Sequence, residues 1–109
     1  MQHKLTLPQL KKYDITQKVI EALADAESRA IIFTTIRKGK TAYDLAETLK
    51  IPLSSVYKKL TYLGNVTLIQ VEKCVTTDAG RRLKIYRSRI KKVDIIIESK
   101  ETEIQLSAN

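Results

Sequence analysis

Two apolar patterns of helical period stand next to each other in the middle of the chain. Leu45 and Leu49 lie four residues apart, which is one helical turn. The following run places its aliphatic residues at i, i+4 and i+7: Val56, Leu60 and Leu63. Pro52 separates the two runs, and proline ends one helix but suits the first turn of the next. The pattern predicts helices over 41–49 and 53–63, joined by a tight corner.

Two further helices are predicted upstream. The first runs from about Asp14 to Leu23, and the second begins at the N-cap Asp25 and ends near Arg37. Gly39 is the expected stop of the second helix. Its buried side is predicted to hold the following residues: Ile31, Ile32, Phe33 and Ile36.

The period changes to two after Gly64-Asn65, which we expect to end the fourth helix in a left-handed conformation. Residues 68–89 read as a β-hairpin with its turn at Asp78-Ala79-Gly80. A second hairpin is predicted from Val93–Glu98 and Glu103–Ser107. A helix over 88–98 is the alternative, but its run of β-branched isoleucines favours a strand. Because a lone hairpin is marginal in water, it must pack on the domain or on a second copy.

Helix, corner, helix and basic hairpin together predict an α+β fold: a winged helix-turn-helix with four helices, a β-hairpin wing and a C-terminal β-hairpin. We divide the chain into a basic N-terminal arm (1–13), a winged helix-turn-helix domain (14–92) and a C-terminal β-hairpin extension (93–109). The 109 residues suffice for one small domain. Its core must be mainly aliphatic, because the sequence has no Trp and only one Phe.

Charge is concentrated in one part of this arrangement. The formal net charge is +8, and residues 53–92 alone carry ten Lys or Arg against two Asp or Glu. Residues 93–109 carry one basic against four acidic side chains. The positive field therefore coincides with the fourth helix and the wing, as a phosphate-binding surface requires.

A helix that enters the major groove needs short polar and cationic side chains on its free face. The candidates for such contacts on the fourth helix are Ser54, Ser55, Tyr57, Lys58, Lys59, Thr61 and Tyr62. The wing candidates, for the minor groove and its phosphates, are Arg81, Arg82 and Lys84. The alternative for each is structural: the serines cap the helix and the lysines are solvated.

The sequence offers little support for a catalytic or metal-binding site. One Cys allows no intramolecular disulfide, and one Cys with one His cannot form a tetrahedral zinc site without several carboxylates. Cys74 is expected to be a buried thiol. The three glycines are isolated, so no phosphate-binding loop motif is present. We expect no enzyme activity, cofactor or metal. With no signal peptide or apolar span of about 20 residues in view, we expect a cytoplasmic location and no membrane partner.

The segment from Asp25 to Leu63 resembles the ArsR-like winged-helix transcription regulators, especially the archaeal type. It carries D-A-E-S-R-A-I-I, then G-K-T-A-Y-D-L-A-E-T-L-K-I-P-L-S-S-V-Y-K-K-L. The wing motif continues as T-T-D-A-G-R-R-L-K-I-Y-R-S-R-I. The usual G-L-I after the fourth helix is Thr67-Leu68-Ile69 here, and the paired cysteines of metal-sensing members are missing.

The resemblance implies sequence-directed binding of double-stranded DNA by a transcription regulator, usually a homodimer. It assigns recognition to Ser54, Ser55, Tyr57 and Lys58, and the wing contacts to Arg81 and Arg82. The C-terminal hairpin stands where many relatives have a dimerising helix. The alternative reading is a winged-helix module for protein interaction or RNA binding within a nucleic-acid machine, because a fold does not determine a function.

Overall fold

The computed structural model describes residues 7–97 and 102–109, and the side chains among them from residue 16 onward, apart from that of residue 102. Four helices come first: α1 (Leu7–Ala24), α2 (Ala26–Thr34), α3 (Ala42–Leu49) and α4 (Leu53–Asn65). Four strands follow: β1 (Ile69–Thr76), β2 (Arg82–Ser88), β3 (Ile90–Ile97) and β4 (Thr102–Ala108). They form two separate antiparallel hairpins, β1–β2 and β3–β4.

The predicted caps hold the helix starts. The Asp25 carboxylate accepts from the Ser28 amide at 3.0 Å at the start of α2. Thr41 and Asp44 form a reciprocal capping box on α3, with distances of 3.0 and 3.1 Å. Lys50 ends α3 in the left-handed region, at φ 57°, and so makes the corner that leads to Pro52.

Three helix limits differ from the prediction. Helix α1 begins at Leu7, so Asp14 lies inside it and does not cap it, and the sequence before Leu7 lies outside the described residues. Helix α2 ends at Thr34, and the carbonyl of Ile36, two residues beyond the helix, accepts hydrogen bonds from Arg87 and Asn109. At the end of α4 the left-handed residue is Thr67, at φ 61°, and Gly64 remains helical.

The core is aliphatic and lies between the helices and the base of the sheet. The predicted inward residues of α4 are all buried: Val56, Leu60 and Leu63. They pack with residues of α1, α2, α3 and β1, among them Val19, Ile31, Leu45 and Ile69. Phe33 departs from the prediction, since it is 79% exposed, whereas Ile31 and Ile32 on the same helix are buried.

An isolated β-bridge joins the wing to the segment between α2 and α3. Lys40 exchanges two backbone hydrogen bonds with Tyr86, at 2.9 and 2.7 Å. The chain approaches closely here, because a Cβ on Gly39 would collide with the side chain of Ile85. The turn between β1 and β2 uses Gly80 at φ +81°, as its sequence predicts.

The second hairpin is present and longer than predicted. Strand β3 begins at Ile90, three residues before the expected start, and pairs with β4 in a register that sets Ile95 opposite Ile104. The molecule is elongated, with principal extents of 62 × 24 × 24 Å.

Candidate nucleic-acid interface

Helix α4 presents a polar free face opposite its buried trio. Ser54, Lys58 and Thr61 are exposed on it, as the helical period predicts. Pro52 is the N-cap, and no side chain caps the helix, so the capping alternative for Ser54 and Ser55 has no support in the structure. Ser55 is half-buried at the edge of the face.

Two of the proposed contact residues are used within the fold. The Lys59 ammonium lies 2.7 Å from the Asp25 carboxylate and 3.8 Å from Glu27. Lys59 therefore turns toward the N-terminus of α2 and away from the free face of α4. The Tyr62 hydroxyl donates to the Lys18 carbonyl at 3.3 Å, which places Tyr62 at the border with α1.

The ion pair at the start of α2 shifts the pKa values of both its members. The hydrogen bond from Lys59, helped by the one from Ser28, lowers the pKa of Asp25 to about 2. In return, the hydrogen bond to Asp25 raises the pKa of Lys59. Asp25 therefore links the start of α2 to α4 as a permanent anion at neutral pH.

The other edge of α4 meets the wing in a crevice of about 390 Å³. Tyr57 and Thr61 line it from α4. The wing contributes residues in and next to β2: Arg81, Arg82, Leu83, Lys84 and Tyr86. The structure thus brings Tyr57 and Thr61 together with all three cationic wing candidates, which are exposed.

Sequence reasoning missed two aromatic residues of this crevice, Tyr43 and Tyr86. The Arg81 guanidinium lies over the Tyr43 ring, 4.9 Å from its centroid. Burial and the nearby Tyr43 hydroxyl raise the pKa of Tyr57, and burial raises that of Tyr86. Helical period would have indicated Tyr43, since it lies two residues from buried Leu45 and so on the opposite side of α3.

The structure also places one more wing cation and the cysteine. Arg87 is structural, because it donates to the Ile36 carbonyl at 3.0 Å and pairs with Glu72 at 2.9 Å. Cys74 is exposed, not a buried thiol, because it lies in the projecting wing, opposite Lys84 in the register.

The arrangement is that of known winged-helix structures. NolR from Sinorhizobium fredii superposes with a TM-score of 0.64 at 17% identity, covering 80% of this chain and 81% of that one. Reduced HlyU from Vibrio cholerae N16961 gives 0.60 at 14% identity, covering 76% and 81%. A second structure of HlyU gives 0.58 at 17% identity, covering 72% and 78%. The winged-helix fold is therefore shown.

No protein-family model matches the chain, and no curated protein matches it in a sequence search. Within the described residues, no helix is long and apolar enough to cross a membrane. The same part of the chain contains no group of three His, Cys, Asp or Glu residues placed to hold a metal ion.

Proposed function

We propose that this protein is a transcription regulator that binds double-stranded DNA, with α4 in the major groove and the β1–β2 wing on the minor groove and its phosphates. One observation carries the proposal. The free face of α4 and the exposed cations of the wing form a continuous surface, and neither α4 nor β2 contains an acidic residue. The acidic residue nearest to β2 along the chain is Asp78, in the wing turn.

Residue roles follow from position on this surface. Lys58 points most directly outward and serves phosphates or base edges, with Ser54 and Thr61 as short hydroxyl donors beside it. The uncapped N-terminus of α4 leaves backbone amides for a phosphate. Arg81, Arg82 and Lys84 flank the groove from the wing, and the Tyr57 ring offers an apolar face to a sugar or a thymine methyl.

Duplex DNA suits the surface better than duplex RNA does. The B-form major groove is about 12 Å wide and admits an α-helix, whereas the major groove of A-form RNA is deep and narrow. At identities of 14% to 17%, the likeness to NolR and HlyU concerns the fold alone, so the proposal rests on the surface of this chain. A homodimer is part of it, since one helix covers few base pairs.

Two neighbouring lysines provide a matched test. Lys58→Ala removes a cation from the free face, so we expect affinity for a 30-base-pair duplex to fall about tenfold and the slope of log affinity against log salt to shrink by about one. Lys59→Ala removes an equal charge from the ion pair with Asp25, so affinity should stay close to wild type while the melting temperature falls. Fluorescence anisotropy over a salt series measures both variants.

Three results would contradict the proposed DNA surface. Equal losses in the two variants would show that only net charge matters. Unchanged DNA affinity in Lys58→Ala would show that the free face of α4 does not contact DNA. A structured RNA that displaces the duplex at equal concentration would favour RNA as the ligand.

A further inference from the structure

Tyr43 of α3 lies against the tip of the wing. The Arg81 guanidinium is placed over its ring, 4.9 Å from the centroid, which is the geometry of a cation–π contact. Both residues line the crevice between α4 and the wing, together with Tyr57. The backbone pairing of Lys40 with Tyr86 lies nearer to the base of the hairpin. The contact with Arg81 is therefore a second attachment of the wing, close to its tip.

The ring of Tyr43 stands on a well-held turn of helix. Tyr43 lies between Thr41 and Asp44, the two partners of the capping box that starts α3. On the opposite side of the helix, Ala42 and Leu45 are buried in the core. Because the cap and the core both hold this turn, the ring is a stable support for a side chain from another element.

The backbone of Arg81 is fixed as well. The Thr77 amide donates to the Arg81 carbonyl at 2.8 Å, and the Arg81 amide donates to the Thr77 hydroxyl at 3.1 Å. The Gly80 amide donates to the Thr77 carbonyl at 2.9 Å and closes the turn. The turn holds one end of the Arg81 side chain and the ring of Tyr43 holds the other. Much of the rotamer freedom of this long side chain is therefore lost before any ligand binds.

The stacked guanidinium keeps its hydrogen-bonding edge. Its N–H donors lie in the plane of the group, so a ring over one face leaves them available. Arg81 is exposed, and within the described residues its hydrogen bonds are made by its backbone. The ion pairs of that part of the chain belong to other cations: Lys59, Arg87 and Lys92. The donors of the Arg81 side chain therefore suit an acceptor outside the chain.

The charges around Arg81 favour an anion as that acceptor. Arg82 and Lys84 line the same crevice, and no acidic residue is among the described residues that line it. The charge of Arg81 also reaches α4: burial and the Tyr43 hydroxyl raise the pKa of Tyr57, and Arg81 opposes this rise. A phosphate between α4 and the wing would meet the edge of a guanidinium that is already in place.

We propose that Tyr43 is a positioning residue of the DNA surface, whose ring holds the Arg81 guanidinium so that the edge of that group binds a phosphate of the DNA backbone. The inference rests on the proposed function and goes beyond it. It gives a residue of α3 a role in binding, and it assigns Arg81 to a phosphate and not to a base edge. A backbone contact of this kind contributes to affinity on every sequence.

Two substitutions of Tyr43 separate the ring from the hydroxyl. Tyr43→Leu removes the ring and keeps an apolar side chain, so we expect affinity for a 30-base-pair duplex to fall about threefold. Tyr43→Phe keeps the ring and should bind as wild type does. The slope of log affinity against log salt should not change in Tyr43→Leu, because Arg81 still neutralises a phosphate. In Arg81→Ala the slope should shrink by about one.

A double-mutant cycle connects the two residues. In the Arg81→Ala background, Tyr43→Leu should cause no further loss of affinity, since the group that the ring positions is absent. Fluorescence anisotropy over a salt series, with three duplexes of unrelated sequence, measures all the variants. The loss in Arg81→Ala should be the same on each duplex. A loss confined to A·T-rich duplexes would place Arg81 in the minor groove and overturn the phosphate assignment.

A spectroscopic measurement checks the stacking without DNA. The ring current of Tyr43 shifts the Arg81 side-chain protons upfield in the NMR spectrum. The shift should persist in Tyr43→Phe and disappear in Tyr43→Leu. Arg81 protons at random-coil positions in wild type would overturn the inference.

The binding results separate this inference from the proposed function. Equal losses in Tyr43→Leu and Tyr43→Phe, or a loss that persists in the Arg81→Ala background, would overturn the role of Tyr43. Duplex binding by wild type that Tyr43→Leu leaves unchanged would overturn the inference alone. A wild type that binds no duplex would overturn the proposed function together with the inference.

Discussion

At the scale of single residues, adjacent lysines on α4 have different roles. A step of one residue turns the helix by about 100°, which carries Lys58 to solvent and Lys59 to the carboxylates at the start of α2. The ion pair joins α4 to α2 and stabilises the helix start. The positive charge of residues 53–92 is therefore not all available to a ligand.

The Asp25 carboxylate gives this role a pH dependence. Its pKa falls from 3.8 to about 2 on folding, so the stability it contributes is complete above pH 4 and is lost as the pH falls toward 2. Asp25→Asn keeps a capping side chain but removes the titration. We expect its free energy of unfolding to fall less than that of wild type between pH 4.5 and pH 2.

Urea unfolding followed by circular dichroism at several pH values measures this difference. Asp78→Asn, which removes an exposed carboxylate of the wing turn, is the control and should follow wild type. Parallel pH curves for Asp25→Asn and wild type would show that the ion pair contributes nothing.

At the scale of elements, the link from α4 to the wing contains a residue in an unfavourable conformation. Thr67 is β-branched and adopts φ 61°, a region that costs residues other than glycine about 1–2 kcal/mol. It stands where the resembling family has glycine. Leu68 next to it is fully buried, and its amide donates to the Leu63 carbonyl at 2.9 Å, so the surrounding structure holds Thr67 in place.

Thr67→Gly should therefore raise the free energy of unfolding by about 0.5–1 kcal/mol, the relief of strain minus the greater chain entropy of glycine in the unfolded state. Thr48→Gly, at an exposed helical position of α3, should lower it by a similar amount. Urea unfolding compares the two variants. If both changes destabilise the protein equally, Thr67 is not strained.

At the scale of the whole molecule, two surfaces lie on different parts of an elongated chain. The basic surface uses α4 and the β1–β2 wing, whereas an apolar surface uses α2 and the β3–β4 hairpin. The surface proposed for DNA is therefore separate from the apolar surface.

The proposed homodimer predicts avidity on DNA. On a duplex selected from a random library, wild type should bind two inverted half-sites at least tenfold more tightly than one, because the second contact becomes intramolecular. Anisotropy with one-site and two-site duplexes measures this gain. Equal affinity for the two duplexes would contradict the proposed homodimer.

The sequence predicted the local parts of this protein. Periodicity placed the Val56, Leu60 and Leu63 trio inward, and capping chemistry located Asp25 and Thr41, because these features depend on residues one turn apart. The turn at Gly80 and the β-branched strand β3 followed for the same reason. The start of α1 was wrong, since a helix-compatible sequence before Asp14 carries no local signal that decides its state.

Contacts between distant residues were decided by the tertiary structure alone. Lys59 pairs with Asp25 34 positions away, and Arg87 with the Ile36 carbonyl 51 positions away, and no local pattern encodes either. The Tyr43–Arg81 stacking and the exposed Phe33 likewise depend on how the wing and the second hairpin pack. Local spacing determines which face of an element is apolar, but only the packed chain determines which polar side chains remain free for a ligand.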